Sequence, residues 1–203
     1  GSPWGRAYNI RKAMSERLDG AIAPAGETFS FNETLRGASG WQEALGIFDG
    51  GDLRPVPGGG ICQAATTLYR AIVHAGLPVT KRAPHSLYVT YYKAHGVGID
   101  ATVFPFVQDL AFVNDTQDEI VMRAWYEGDD AFVAMYGVDD GRSVEMRGPY
   151  FPQTAPEGFL VNGRALKGNE IGWKQTITRP DGSTQENVIV SRYKSVPSSL
   201  HKE

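Results

Sequence analysis

The sequence predicts an α+β fold: N-terminal helices, including one that carries the only cysteine, packed on an antiparallel β-sheet, with a β-rich C-terminal part. Two observations predict it. Residues 8–18 and 61–75 carry apolar side chains at the three- and four-residue spacing of a helix with one buried face. From residue 85 onward, short runs of β-branched and aromatic residues alternate with turn residues, which is typical of antiparallel strands.

The helical periodicity predicts which side chains face the core. In the first helix these are Ile10, Ala13, Met14 and Leu18, and Asp19-Gly20 ends the helix. In the second helix they are Ile61, Ala65, Leu68, Ile72 and Ala75, before the stop signals Gly76 and Pro78.

The strand pattern predicts short strands over residues 85–92, 101–105, 110–114, 119–126, 131–138, 143–148, 172–178 and 185–193. The sequence Arg179-Pro180-Asp181-Gly182 predicts a hairpin turn between the last two strands. Residues 33–60, with eight glycines and two prolines, read as a long loop of the kind that covers or binds a substrate. Trp41 and Phe48 are the candidates to anchor this loop or to cover the substrate.

Composition limits the functional classes. Of 203 residues, 41% are hydrophobic and 21% charged, as in an ordinary globular protein, and the net charge of -3 gives no electrostatic signature for nucleic acid. One cysteine excludes an internal disulfide and a multi-cysteine zinc site, and we expect neither metal nor cofactor. No apolar run has the length of a membrane span. Gly1-Ser2 resembles a cloning scar, so we expect any membrane contact only through an anchor removed from the N-terminus.

Cys62 lies where a glycine loop meets the second helix, in the first helical turn. Unpaired N–H groups and the positive end of the helix dipole stabilise an anion there, which lowers the pKa of a thiol and favours a nucleophile. The backbone N–H groups of Gly59, Gly60 and Ile61 are candidates to bind an oxyanion, together with that of Cys62 itself. The alternative is a small buried cysteine beside a flexible loop.

A nucleophilic cysteine needs a base, and His85 is the best of four histidines. His74 is twelve residues further along the same helix, about 18 Å from Cys62, and is too far away. His95 lies in a glycine-containing turn and His201 in a polar tail, where a solvated histidine is expected. The pattern places His85 at the start of a strand, where it could face a helix N-terminus or be a half-buried sheet residue.

Asp100 is the candidate to orient the imidazole, and Asp109 is the alternative, because each precedes a predicted strand. Either aspartate could instead be a turn residue that caps its own backbone. Arg82 and Ser86 flank His85 and could receive a substrate carboxylate, although Arg82 could equally be a solvated surface charge.

Several motifs together resemble those of VanW-domain proteins. In the family's order, the first are Pro-Ala-Gly-Glu-Thr-Phe-Ser-Phe-Asn at 24–32 and Gly-Gly-Gly-Ile-Cys-Gln at 58–63, with Thr-Thr-Leu-Tyr at 66–69. They are followed by Arg-Ala-Pro-His-Ser at 82–86, Asp-Ala-Thr-Val at 100–103, and the segment from Asp109-Leu110 to Asn114. The resemblance implies a VanW-like catalytic core over residues 1–116 and a β-rich C-terminal extension over 117–203, packed together as one globular unit.

Members of that family have been identified as cysteine L,D-transpeptidases of peptidoglycan. The resemblance therefore implies that Cys62 attacks the carbonyl of the third residue of a stem peptide and releases the terminal D-alanine. The amine of a second stem then takes the acyl group and forms a 3-3 cross-link. It also implies an extracytoplasmic location, at the cell surface or wall. The alternatives are a cysteine amidase or endopeptidase acting on the same polymer, and a non-catalytic wall-binding or assembly module.

Overall fold

The computed structural model describes residues 3–47, 53–105 and 107–194. Gly1-Ser2, Phe48 and His201 lie outside them. The helices are α1 (Trp4–Ala13), which continues as a π-helical turn (Met14–Leu18), α2 (Phe31–Thr34), α3 (Cys62–His74) and a 3-10 helix (Thr90–His95). The strands are β1 (Ile22–Ala23), β2 (Thr28–Ser30), β3 (Glu43–Ile47), β4 (Leu53–Pro57), β5 (Val79–Lys81), β6 (Ala111–Val113), β7 (Ile120–Glu127), β8 (Asp130–Tyr136), β9 (Ser143–Tyr150), β10 (Glu170–Thr178) and β11 (Thr184–Arg192).

The strands form several small antiparallel sheets, which confirms the α+β class. Three sheets have three strands each, in the orders β1-β7-β8, β11-β10-β9 and β2-β6-β5, and β3 pairs with β4. β1 and β7 pair across the expected boundary between residues 116 and 117, and the division at that point stays a prediction. None of the helices within the described ranges is long and apolar enough to cross a bilayer.

The main core lies around α1 and α3. The predicted stripe of the first helix is confirmed, because Ile10, Ala13, Met14 and Leu18 are all buried. On α3, Ala65, Leu68 and Ile72 are buried, while Ile61 and Ala75 are partly buried at its two ends. α3 packs against β8 and β9, so the cysteine-bearing helix rests on β-structure as predicted.

The predicted strands over residues 85–92 and 101–105 are wrong. Residues 90–95 form the 3-10 helix, and residues 101–105 make only isolated bridges, such as Ala83 with Thr102. The reason is that side chains occupy the backbone groups that a strand ladder needs. The N–H of His85 donates to Asp100, and the N–H of Ala101 donates to the hydroxyl of Thr66 on α3.

The segment 33–60 also contains paired strands, whereas the sequence predicts a long loop there. It contains the hairpin of β3 and β4, in register from Glu43 opposite Pro57 to Ile47 opposite Leu53. Gly46 in β3 and the two prolines in β4 hide the period-two pattern on which strand prediction depends. By contrast, the hairpin of β10 and β11 around Gly182 forms where the turn signal predicts it.

Candidate active site

A tight glycine turn delivers Cys62 to the first position of α3. Gly58 and Gly60 have positive φ angles of 81° and 103°, which favour glycine. Gly59 fits against β3 so closely that a Cβ atom there would lie 2.1 Å from the backbone oxygen of Ala44. The buried Asn9 of α1 donates to the oxygens of Gln42 and Gly59 at 2.8 and 3.0 Å. The turn is thus fixed from two sides.

His85 and Asp100 form a buried pair beside this helix start. The imidazole Nδ1 lies 2.6 Å from Asp100 Oδ2, which also accepts the backbone N–H of His85 at 2.8 Å. The two side chains are 7% and 2% exposed. Because Nδ1 is held by the carboxylate, Nε2 is the ring nitrogen left to interact with Cys62.

The second oxygen of Asp100 is held from two further directions. Oδ1 accepts a hydrogen bond from the hydroxyl of Tyr193, just after β11, and lies 3.5 Å from Arg82 Nη2. The carboxylate therefore has partners on both oxygens, which fixes its plane relative to the imidazole.

The sulfur of Cys62 faces polar groups. The N–H of Val103 and the hydroxyl of Thr102 each lie 3.4 Å from Sγ, and both can donate to a thiolate. The carbonyl oxygen of Val103 is also 3.4 Å away and would accept from the neutral thiol. These polar neighbours mean that the sulfur is not enclosed in hydrocarbon, and Cys62 as a whole residue is partly buried.

The pKa values of the three groups are shifted toward a charged arrangement. Burial alone would raise the pKa of the Cys62 thiol, but hydrogen bonding and charge from His85, with Thr102 and Val103, lower it below its ordinary value. Burial opposes protonation of His85, yet the bonds to Asp100 and Cys62 raise its pKa to about 9. Burial likewise opposes ionisation of Asp100, while His85 and Arg82 lower its pKa. The site therefore favours a thiolate–imidazolium pair.

Two of the four candidate oxyanion donors are already hydrogen-bonded within the turn. The N–H groups of Gly59 and Ile61 are used within the turn, donating to the oxygens of Val56 and Gly58 at 3.2 and 3.1 Å. Those of Gly60 and Cys62 donate to no acceptor in the part of the chain that the structure describes. These two remain available beside the sulfur.

Asp109 lies outside this cluster and caps the start of α2, rather than its own backbone. Its Oδ2 accepts from the hydroxyl of Ser30 at 2.7 Å, and its Oδ1 accepts from the N–H of Asn32 at 3.0 Å. It therefore fixes the start of α2. His74 is at the far end of α3 and His95 is exposed, so neither belongs to the cluster.

Arg82 differs from its predicted position at the substrate. Its side chain is 9% exposed, and all three of its nitrogens donate within the chain. The acceptors are the oxygens of Asp100 at 2.7 Å, Val190 at 3.0 Å and Gly98 at 3.4 Å, together with the hydroxyl of Ser191. The Arg82 side chain links the segment that carries His85 to β11, and its guanidinium does not face the solvent.

Ser86 and Trp41 lie near the cluster without joining it. Ser86 follows His85, is partly buried, and accepts the N–H of Lys194 through its backbone oxygen at 2.8 Å. Trp41 packs against the main core, and its Cγ lies 3.9 Å from the position that a Cβ on Gly58 would take. Trp41 thus contacts the glycine turn.

Residue type and spacing did not indicate a catalytic role for several residues of the site, although Thr102 and Val103 lie within the motif at 100–103. Tyr193 is 93 positions from Asp100, and Thr102 and Val103 contact the sulfur through an irregular segment. Within the described residues, no three His, Cys, Asp or Glu side chains are grouped as a metal site would need.

The chain belongs to the family described as VanW like protein, whose profile matches residues 5–136. That match includes Cys62, His85 and Asp100 and ends before Tyr193.

Two curated relatives are similar to this chain. The Uncharacterized protein YoaR of Bacillus subtilis (strain 168) is 31% identical over 154 residues, which are 75% of this chain and 50% of that protein. The Vancomycin B-type resistance protein VanW of Enterococcus faecalis (strain ATCC 700802 / V583) is 28% identical over 130 residues, 62% of this chain and 46% of that protein. The chain thus spans about half the length of these relatives. No solved structure matches it.

Proposed function

We propose that this protein is a peptidoglycan L,D-transpeptidase that forms 3-3 cross-links through an acyl-enzyme on Cys62. The observation that carries the proposal is the buried Asp100–His85 pair beside a cysteine at a helix start, with a lowered thiol pKa. This arrangement suits nucleophilic acyl transfer, because the nucleophile is ionised before the substrate arrives and the base is already oriented.

In the first step the Cys62 thiolate attacks the carbonyl carbon of the third residue of a donor stem. The N–H groups of Gly60 and Cys62 would stabilise the negative charge on the carbonyl oxygen. The imidazolium of His85 then gives its Nε2 proton to the departing nitrogen, and the terminal D-alanine leaves with a neutral amine. A thioester and a neutral imidazole remain.

In the second step the side-chain amine of another stem attacks the thioester. His85 takes a proton from that nitrogen, the carbon–sulfur bond breaks, and an amide forms between the two stems. The thiolate and the imidazolium are restored. Asp100 stabilises the imidazolium form of His85 in both steps and does not itself need to gain a proton.

The three predicted substrate contacts have two different roles in this proposal. Ser86 and Trp41 keep a proposed role as contacts to the stem peptide, because both are partly buried next to the catalytic segments. We assign Arg82 a positioning role, since its nitrogens hold the backbone of Asp100 and of β11.

The relatives support a role in the cell wall. The name of the enterococcal relative associates that protein with resistance to vancomycin, and the shared family supports a related role for this chain. A cross-linking enzyme of the wall would act outside the cytoplasm, so we propose an extracytoplasmic location at the cell surface or wall.

The test is incubation of the protein with disaccharide tetrapeptides, followed by separation and mass analysis of the products. We expect dimers with a 3-3 bond and free D-alanine, and no product with Cys62→Ala. Tripeptide monomers without dimers would instead identify a hydrolase, in which water replaces the acceptor amine. Cross-linking that continues in Cys62→Ala would contradict an acyl-enzyme on Cys62, and binding of the tetrapeptides by the wild-type protein without any product would leave a binding module.

A further inference from the structure

Arg6 of α1 has no carboxylate partner among the residues that the structure describes. Its Nη2 donates to Gln63 Oε1 at 3.0 Å and to the hydroxyl of Tyr91, and its Cζ lies 4.8 Å from the centre of the Tyr91 ring. Nε is buried without an acceptor, and Nη1 donates to nothing in the described ranges. Among those residues, no acidic side chain lies within ion-pair distance of Arg6.

Arg6 lies beside the glycine turn and the helix start that carry the nucleophile. A Cβ atom on Gly60 would be 2.6 Å from Arg6 Cγ, and Gln63, which accepts from Arg6, follows Cys62 directly. A row of aromatic rings continues from Arg6 to the base. The ring centres of Tyr91 and Tyr92 are 4.9 Å apart, and those of Tyr92 and His85 are 5.8 Å apart.

The electrostatics agree with this proximity. Burial is the main reason that the pKa of the Tyr92 hydroxyl is raised, with Tyr91 next, but the charges of Cys62 and Arg6 act on that same hydroxyl in opposite directions. Arg6 and the sulfur therefore act on one small region.

We propose that Arg6, positioned by Gln63 and Tyr91, binds the terminal carboxylate of the donor peptide. This inference rests on the proposed function and extends it. The attacked carbonyl would lie at the N–H groups of Gly60 and Cys62, and Gly60 packs against Arg6. One residue beyond the scissile bond adds at most about 3.6 Å of chain. A donor that ends one residue after the scissile bond would thus bring its carboxylate to the guanidinium.

Arginine suits this task. Its planar guanidinium can donate two parallel hydrogen bonds to a carboxylate, and charge-assisted bonds of this kind are stronger than neutral ones. Tyr91 is 53% exposed, so one side of the proposed subsite is open to a ligand. The site would therefore select peptides with a free carboxylate at that position over longer or amidated peptides.

The test compares two donors with the wild-type protein: a tetrapeptide stem with a free terminal carboxylate, and the same stem with a terminal carboxamide. We expect kcat/KM to favour the free acid by about tenfold or more. Arg6→Gln should lose this preference by weakening turnover of the acid alone. Arg11→Gln is the matched control, because Arg11 lies on the same helix with its Cζ 5.5 Å from the Tyr126 ring, away from the cluster.

Equal turnover of acid and amide by the wild-type protein would overturn the subsite. So would an Arg6→Gln variant that loses both activities in the same proportion, since that result indicates a purely structural arginine. If the wild-type protein turns over neither donor, the proposed function fails, and binding of the two peptides to Cys62→Ala then decides the question. Calorimetry should show tighter binding of the acid only when Arg6 is present, and equal binding would overturn the inference.

Discussion

At the residue scale, two opposing effects decide whether the Cys62 sulfur is ionised. Burial favours the neutral thiol, because a charge loses solvation in the interior. The protonated His85 and the donors at Thr102 and Val103 favour the thiolate and win, so the pKa of Cys62 is lowered. Asp100 contributes to this, since its bond to Nδ1, together with the interaction with Cys62, raises the pKa of His85 to about 9. Three side chains thus share one electrostatic balance.

Exchange of Asp100 for Asn, compared with the same exchange at Asp109, tests which aspartate orients His85. We expect Asp100→Asn to lower kcat by on the order of 10³- to 10⁴-fold, because the imidazolium loses its counter-charge. Asp109→Asn changes the same chemical group at the cap of α2 and should keep the wild-type kcat. Steady-state kinetics on a tetrapeptide donor measure both variants. Equal loss in the two variants, or full activity of Asp100→Asn, would contradict the assignment.

Only part of this cluster could be predicted from residue types. Cysteine and histidine are rare in the chain, so Cys62 and His85 could be selected by elimination. Aspartate is common in turns, and the choice between Asp100 and Asp109 depended on tertiary contacts that a sequence does not display. The same is true of Tyr193, whose hydroxyl reaches Asp100 only because β11 returns to the site.

At the scale of elements, the glycine turn before α3 depends on close packing as well as on backbone conformation. The φ angle of Gly59 is not in the positive range, yet a Cβ there would meet the backbone of Ala44 at 2.1 Å. The β3–β4 hairpin therefore lies directly on the turn that presents the nucleophile.

We expect Gly59→Ala to lower the free energy of unfolding by about 1–3 kcal/mol, as overpacking does. Gly168→Ala is the matched control, because a Cβ there has nothing within 4 Å and its φ is not in the positive range. That control should be neutral or stabilising by up to about 1 kcal/mol. Urea unfolding of both variants provides the measurement. Similar free energies for the two would show that the turn is not closely packed.

Periodicity predicted the elements whose backbone bonds are local. α3 and the β10–β11 hairpin formed where their patterns placed them, because a helix and a tight hairpin satisfy their own hydrogen bonds. Residues 85–92 and 101–105 have strand-like composition, but three of their N–H groups, on His85, Ala101 and Val103, donate to side chains elsewhere in the site. Such long-range side-chain contacts override β propensity and leave no local signal.

The β10–β11 hairpin contributes one hydroxyl to the site, and its removal has a measurable consequence. We expect Tyr193→Phe to lower kcat by about tenfold at unchanged KM, because the buried Asp100 loses a charge-assisted hydrogen bond. Tyr126→Phe removes another buried hydroxyl, one without a partner in the described part of the chain, and should leave kcat unchanged. An effect of similar size in both variants, or a change in KM alone, would argue against a positioning role.

At the scale of the whole molecule, the site joins distant parts of the chain. The nucleophile comes from α3, the base from the segment after β5, and the hydroxyl on Asp100 from the end of β11. Arg82 fastens the last two together through Val190 and Ser191. Ionisation of the site is therefore coupled to folding of the whole chain.

That coupling has a definite sign. The raised pKa of His85 gives stability that is fully present below the unfolded value of 6.5 and is lost as pH rises through about 9. The lowered pKa of Cys62 gives stability that is present above its unfolded value of 9.0 and is lost as pH falls through the folded value. Between pH 6.5 and 9 the two contributions have opposite slopes.

We therefore expect Cys62→Ala to lose more unfolding free energy than the wild-type protein as pH rises from 6.5 toward 9. The His85 contribution, which Asp100 still maintains although the bond to Cys62 is gone, is then no longer offset by that of Cys62. The difference should be on the order of 1 kcal/mol. The double variant Cys62→Ala/His85→Gln should lose this slope. Urea unfolding at a series of pH values measures it, and parallel curves for all three proteins would show that the pair is not coupled.

The most direct measurement is the intact mass of the protein after brief mixing with a tetrapeptide donor and no acceptor. Nucleophilic attack by Cys62 predicts an adduct with the mass of the donor minus D-alanine. It should be released by hydroxylamine, as a thioester is, and be missing in Cys62→Ala. Turnover of the donor without this adduct, or the same adduct on Cys62→Ala, would contradict an acyl-enzyme on this cysteine.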